Sequence, residues 1–234
     1  MKRRRLYILA VIVATIVRLG SARASLPQDE QTKPFRTWTK AEAKKLLNDS
    51  PWAKTQEVSS VYGLGVPTDF KFTLRLRSAL PIREALVRLR QIEAHYDQLN
   101  EKERATFDAK TKGLLDCPAC ADNYVLSLSS RSENSPGWDL AFRSYEKMTL
   151  AMLQENVFLA NDKGEKRKLV HFIPPKAAGE ETVFFFARLD DSGKPLVGRE
   201  DKKLVVRLNP QDAGSVKNFT FDVSKLIVNG KVEF

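Results

Sequence analysis

The chain has 234 residues, of which 42% are hydrophobic and 29% charged, and its formal net charge is +10. This balance is ordinary for a globular protein, and the length is sufficient for one large domain or two small ones with a sizeable core. No internal repeat or extended low-complexity tract is present, which excludes repeat and fibrous architectures.

Residues 1–24 have the three regions of a secretory signal peptide. Basic residues at positions 2–5 precede an uncharged run from Leu6 to Val17, and small residues lead up to Ala24. The alternative is an uncleaved anchor, but a membrane span needs about 20 apolar residues and this run is much shorter. We therefore expect cleavage after about Ala24 and a secreted or periplasmic location.

Removal of this leader changes what the charge implies. The segment carries six basic residues and no acidic one, so the formal charge of the mature chain falls from +10 to +4. Because much of the basic excess serves export, nucleic acid is not an expected partner, and no stable membrane span is expected after cleavage. The partners left open are another envelope protein and an anionic envelope polymer.

The first predicted elements follow a polar stretch. Residues 25–36 lack periodicity and predict a flexible lead. Thr39 and Glu42 have the spacing of a capping box and predict a helix over 40–47. Strict alternation of apolar and polar residues then predicts a strand over 70–77, with one buried and one solvated face.

Two further helices and a second strand are predicted next. Apolar residues at helical spacing predict a helix over 81–95. A second capping box, formed by Asn100 and Glu103, begins a helix that we expect to end near Gly113. Alternation of apolar residues with small or polar ones indicates a strand over 124–128.

The pattern changes along the rest of the chain. After a loop at 129–137, apolar spacings of three and four predict a buried helix over 138–154. Short apolar runs then predict strands, and Asn229-Gly230 is a strong hairpin signal. These strands are predicted at 157–160, 168–172, 182–189, 204–208 and 219–223.

The expected fold class is α+β. Residues 37–155 form a helix-rich region with an early strand, and residues 156–234 form an antiparallel sandwich or meander packed on it, because helices and strands segregate along the chain.

A run of residues around the first helix carries a family resemblance. It consists of Trp38-Thr39, Glu42-Ala43, Leu46-Leu47 and the segment from Asp49 to Lys54, and the likeness continues through residues 78–85. In these positions the chain resembles an uncharacterised family of secreted acidobacterial proteins. The resemblance implies export from a bacterium with a Gram-negative type of envelope, and it implies no activity and no catalytic residue.

The most specific chemical feature is the pair Cys117 and Cys120, the only cysteines in the sequence. In an oxidising compartment the pair is expected to close into a structural disulfide. A redox-active dithiol is the alternative, and it requires a helix that starts at the pair. A metal site needs two further ligands, and neither His95 nor His171 has metal-ligand spacing, so no metal or cofactor is expected.

The second candidate is a basic patch. Lys71, Arg75 and Arg77 alternate along one predicted strand face and are a candidate surface for an anionic partner. The favoured interpretation is a solvated face whose cations pair with nearby carboxylates. No nucleophile elbow, phosphate loop or zinc-protease motif is present, so no catalytic residue is predicted. The sequence thus favours a noncatalytic envelope protein, with a thiol-disulfide oxidoreductase as the alternative.

Overall fold

The computed structural model describes residues 33–62, 66–132, 139–208 and 217–234. The predicted signal peptide and most of the predicted flexible lead lie outside these residues. At the end of that lead, Phe35–Thr37 form a short 3-10 turn, and the Arg36 guanidinium lies 3.3 Å from the Asp108 carboxylate. Residues from Phe35 to Phe234 belong to one compact unit.

Four of the five α-helices among the described residues begin at a capping side chain, and the exception, which begins at Leu80, has a proline in its first turn instead. In both predicted capping boxes the side chain accepts the third backbone N–H and a glutamate returns the bond, at Thr39 with Glu42 and at Asn100 with Glu103. These two predictions are confirmed. The helices are α1 Lys40–Asn48, α2 Leu80–Glu93, α3 Glu101–Asp116, α4 Leu140–Tyr145 and α5 Leu150–Leu153.

Eight strands form one antiparallel sheet, and two short ones form a hairpin. The strands are β1 Ala53–Tyr62, β2 Val66–Leu76, β3 Asn123–Ser132, β4 Phe158–Asn161, β5 Lys166–Ile173, β6 Thr182–Ala187, β7 Lys203–Leu208, β8 Lys217–Asp222, β9 Ile227–Val228 and β10 Lys231–Val232.

The large sheet curls into a nearly closed barrel. Its strand order is β1-β2-β3-β6-β5-β4-β7-β8, so β1 and β8 are the two edges. A side chain joins these edges, because Gln56 Nε2 on β1 donates to the backbone oxygen of Asn218 on β8 at 2.7 Å. We call the line where β1 and β8 approach each other the seam.

A single large hydrophobic core fills the barrel. Alternate side chains of each strand point inward, and those of β2, β6 and β8 include six phenylalanines. The helices add buried residues to the same core, including Ile82 from α2 and Leu153 from α5. The inward aromatic residues of these strands are Phe70, Phe72, Phe184, Phe186, Phe219 and Phe221.

The prediction of a helix-rich N-terminal half is wrong. Three long strands, β1 to β3, lie in that half, and β3 pairs with β6, so the sheet runs across the predicted division at residue 155. The C-terminal strands therefore complete a barrel-like sheet rather than form a sandwich of their own. No apolar alternation marks β1, because Lys54 and Gln56 occupy inward positions on this edge strand.

The predicted helix over 138–154 is also wrong in extent, and Trp138 lies outside the described residues. Two short helices, α4 and α5, take its place. The break follows from capping chemistry, because the Thr149 hydroxyl accepts the backbone N–H of Met152 and so starts a new helix. The spacing of apolar residues does not reveal an N-cap inside a predicted helix.

Two hairpin turns are closed by local interactions, and the one predicted at Asn229-Gly230 is confirmed. Asn161 Oδ1 accepts the N–H groups of Lys163 and Glu165, which closes the β4–β5 hairpin. Asn229 and Gly230 both have positive φ, 48° and 74°, as a two-residue turn between β9 and β10 requires.

Candidate functional site

The two cysteines lie at the end of α3. Their sulfurs are at disulfide distance, and Cys117 caps the C-terminus of α3 in the left-handed conformation, with φ of 43°. Cys120 is buried on the outer side of the barrel, in a small cluster with Val125 of β3 and Val183 of β6. The pair therefore attaches the end of a helix to the back of two strands.

This position differs from that of a reactive dithiol. A thiol becomes reactive when a helix N-terminus lowers its pKa, whereas Cys117 lies at the C-terminal, negative end of α3. The turn from Pro118 to Cys120 is a single 3-10 turn, and Arg188 holds it by donating to the Cys120 carbonyl at 3.0 Å. These contacts anchor the turn at the C-terminal end of α3.

The predicted basic patch lies on the outer face of β2. Arg75 is 9% exposed and donates to the Leu47 carbonyl at 2.7 Å and to the Glu181 carboxylate at 2.6 Å. Arg77 lies 3.6 Å from Glu181, and Lys71 lies 3.3 Å from Glu57. The three cations share a face, and each of them contacts a carboxylate.

Burial is the largest influence on the pKa of Arg75. It lowers the pKa of the guanidinium, and the Glu181 carboxylate opposes that effect. Two more acceptors, Ser129 Oγ and Asn48 Oδ1, lie 2.9 and 3.1 Å away, so the guanidinium is enclosed by protein groups. The geometry makes Arg75 a connector between α1, β3 and the segment before β6.

The histidines do not form part of a cluster. His95 follows α2 in the left-handed conformation, and His171 is exposed on β5, with its ring 5.0 Å from that of Phe185. Across residues 33–62, 66–132, 139–208 and 217–234, no three His, Cys, Asp or Glu side chains are placed to hold a metal ion. The same ranges contain no helix long and apolar enough to span a membrane.

A cleft lies at one end of the seam, and its charge is strongly positive. It has a volume of about 300 Å³, at the lower limit of small-molecule sites. Four lysines line it against a single carboxylate, Asp222. The lysines of this seam cleft are Lys54, Lys202, Lys203 and Lys225.

Backbone bonds hold these lysines in place. The Asp162 carboxylate accepts the N–H groups of Lys202 and Lys203 at 2.9 and 3.4 Å, which fixes the start of β7. These bonds lower the pKa of the Asp162 carboxyl below its ordinary value, the Lys202 bond most, so the acceptor stays ionised. Lys225 lies in the 3-10 turn that Asp222 begins by accepting the Ser224 N–H at 3.0 Å.

The ammonium groups of the seam cleft have no carboxylate partner among the described residues, in contrast to Lys71, Lys112, Lys163 and Lys194. Lys54 is half-buried, and the other three are exposed. Four lysines beside the one lining carboxylate, Asp222, leave an excess of positive charge, and binding an anion reduces the repulsion among the ammonium groups. The cleft is therefore suited to phosphate or carboxylate groups.

Sequence reasoning missed this site. Lys54 is separated from Lys202 by almost the whole fold, and it lies on a strand that the apolar pattern did not reveal. The run Lys202-Lys203 was the one available signal, and two adjacent lysines are common on protein surfaces. Only the closure of the sheet brings β1 to β8 and gathers the charges.

In comparisons with known proteins, no family model, curated protein or solved structure matches the chain. The resemblance to secreted acidobacterial proteins thus stays a prediction, and the functional case depends on the residues of this chain alone.

Proposed function

We propose that this is an exported, noncatalytic protein of the cell envelope that binds an anionic envelope polymer through the seam cleft. The observation that carries the proposal is the gathering of four lysines from β1, the start of β7 and the turn after β8 around one concave surface. Their chemical preference is for carboxylate and phosphate oxygens, which an ammonium group binds as a compact point charge.

A polymer suits this site better than a single small anion. Three of the four lysines are exposed, so each contact with one anionic group is weak in water. A chain that presents several charges at once gains from every lysine while losing its translational freedom only once. Such binding is largely electrostatic and weakens steeply with added salt.

The thiol-disulfide oxidoreductase is the less favoured alternative. It requires an accessible, activated thiol, whereas Cys120 is buried and Cys117 caps the negative end of α3. We therefore assign the cysteine pair a structural role in the proposed function.

Export is the second part of the proposal, and the basic, apolar and small-residue order of positions 1–24 supports it. We expect protein recovered from its native cells to begin at about Ser25, because signal peptidase cleaves after small residues such as Ala24. Intact-mass spectrometry of the native protein checks this. A chain that retains Met1 and reduced cysteines would contradict both export and an oxidising compartment.

Polyanion binding is tested with the mature chain and defined probes. We expect polygalacturonate or polyphosphate to bind at low salt, neutral dextran not to bind, and affinity to fall as salt increases. The variant Lys203→Glu/Lys225→Glu should weaken binding about tenfold or more, because each substitution replaces an attractive charge with a repulsive one. Fluorescence anisotropy with end-labelled probes measures this.

A matched control is available on α3, which packs against α2. Lys102→Glu/Lys110→Glu changes the net charge by the same amount at two exposed positions outside the cleft. We expect this variant to bind within about twofold of wild type, because neither lysine lines the cleft. Equal losses in both variants, or no binding of either polyanion to wild type, would refute the cleft as the site.

A further inference from the structure

The seam cleft continues into a second cationic surface. On the outer face of β5, the exposed Lys166 and Lys168 lie beside Phe158 of β4. Arg207 of β7 is opposite Phe158 in the strand register, on the other side of the ring. We call Lys166, Lys168 and Arg207 the cationic track.

The track and the β7 side of the cleft share the outer face of the sheet. Outward positions alternate along each strand, so Arg207 and Lys203 both project from the outer face of β7. Lys203 also lines the seam cleft, which makes it the link between the two surfaces. Among the described outward side chains of β4, β5, β7 and β8, Asp222 is the one carboxylate.

An aromatic side chain lies in the middle of the track. The Lys166 ammonium is 4.5 Å from the centre of the Phe158 ring, and the Arg207 guanidinium is 5.8 Å from it. Both distances allow cation–π attraction, which holds the two long side chains near the ring. The cations are thereby kept on the face of the sheet, where an anion can reach them.

From these positions we propose that the bound polymer is linear, carries an anionic group on each repeat, and runs across the strands from the seam cleft over β7 and β4 to the cationic track on β5. This inference rests on the proposed function. Three strand spacings separate β8 from β5, a span of about 14 Å, so a ligand confined to the cleft does not reach Lys166 or Lys168.

The proposal predicts a dependence on chain length. At about 0.15 M salt the Debye length is about 8 Å, shorter than this span, so the track acts on a ligand only where the ligand extends over it. We expect decagalacturonate to bind at least tenfold more tightly than trigalacturonate. In Lys166→Glu/Lys168→Glu that gain should disappear, while trigalacturonate binds within twofold of wild type.

Calorimetry with both oligomers on wild type, the track variant and Lys203→Glu/Lys225→Glu separates the possible failures. If wild type binds short and long chains with equal affinity, or if the track variant loses the same affinity for both, the cationic track is not part of the binding site. The proposal that the seam cleft binds polyanions would still stand. If neither oligomer binds wild type, and the cleft variant shows the same lack of binding, both the track and the proposed function are refuted. The same length series of polyphosphate distinguishes phosphate from carboxylate, and either one showing the gain supports the proposal. Tighter binding of single-stranded DNA than of both series would overturn it.

Discussion

Replacing Trp52 with alanine is expected to destabilise the protein by about 4 kcal/mol, within the range for deletion of a buried large aromatic side chain. The residue is 1% exposed, and its indole N–H donates to the Glu233 carbonyl at 2.8 Å. The Glu233 carboxylate in turn accepts the Leu80 N–H at the start of α2, at 2.8 Å. One side chain thus joins the entrance of β1 to the last residues of the chain.

Chemical denaturation followed by circular dichroism measures this loss. The conservative variant Trp52→Phe keeps most of the apolar volume and removes the hydrogen bond, so we expect it to cost less than half as much, about 1–2 kcal/mol. A loss of less than 1 kcal/mol in Trp52→Ala would mean that Trp52 is not a core residue and that the start of β1 is placed differently. Because Pro51 and Lys54 flank Trp52 and line the seam cleft, that outcome would also weaken the binding proposal.

Arg75→Ala is expected to cost about 3 kcal/mol, because it removes a buried guanidinium and leaves the partly buried Glu181 with the more distant Arg77, at 3.6 Å. Glu181, whose side chain is 23% exposed, loses its closest cation in this variant, and the Leu47 carbonyl loses a hydrogen-bond donor. Urea unfolding of the variant against wild type measures the difference. Adding Glu181→Gln should recover part of the loss, because the partly buried carboxylate that lost its closest cation is then absent.

Lys71→Ala is the control on the same face of β2. Its partner Glu57 is 70% exposed, so their ion pair is a surface one and the substitution should cost less than about 1 kcal/mol. If Arg75→Ala left stability unchanged and weakened polyanion binding, the predicted patch of Lys71, Arg75 and Arg77 would be a ligand site, and our assignment of Arg75 as a connector would be wrong.

Local signals predicted the local structure well. The capping boxes at Thr39 and Asn100 and the turn at Asn229-Gly230 need only side chains within a few residues of one another. The alternation in β2 likewise reports directly which side chains face the core. In each case the residues that make the interaction are the residues that produce the pattern.

The edge strand β1 shows where this reasoning failed. Its inward positions include Lys54 and Gln56, whose side chains reach the seam instead of the centre of the core. A polar residue at an inward position breaks the alternation by which a strand is found in sequence. Lys54 lines the seam cleft, and Gln56 hydrogen-bonds across the seam. The polar inward residues that conceal β1 in the sequence are therefore the residues that contribute to the site and the seam.

The sequence by itself determined the local elements: where helices begin, which turns close, and which faces of most strands are apolar, together with the export pattern that remains a prediction. Tertiary structure alone decided that β3 pairs with β6, that one sheet curls until β1 meets β8, and that lysines about 150 positions apart surround one cleft. The physical reason is that strand pairing and charge clustering are long-range, and no pattern within a short window of sequence specifies which distant segment will lie alongside.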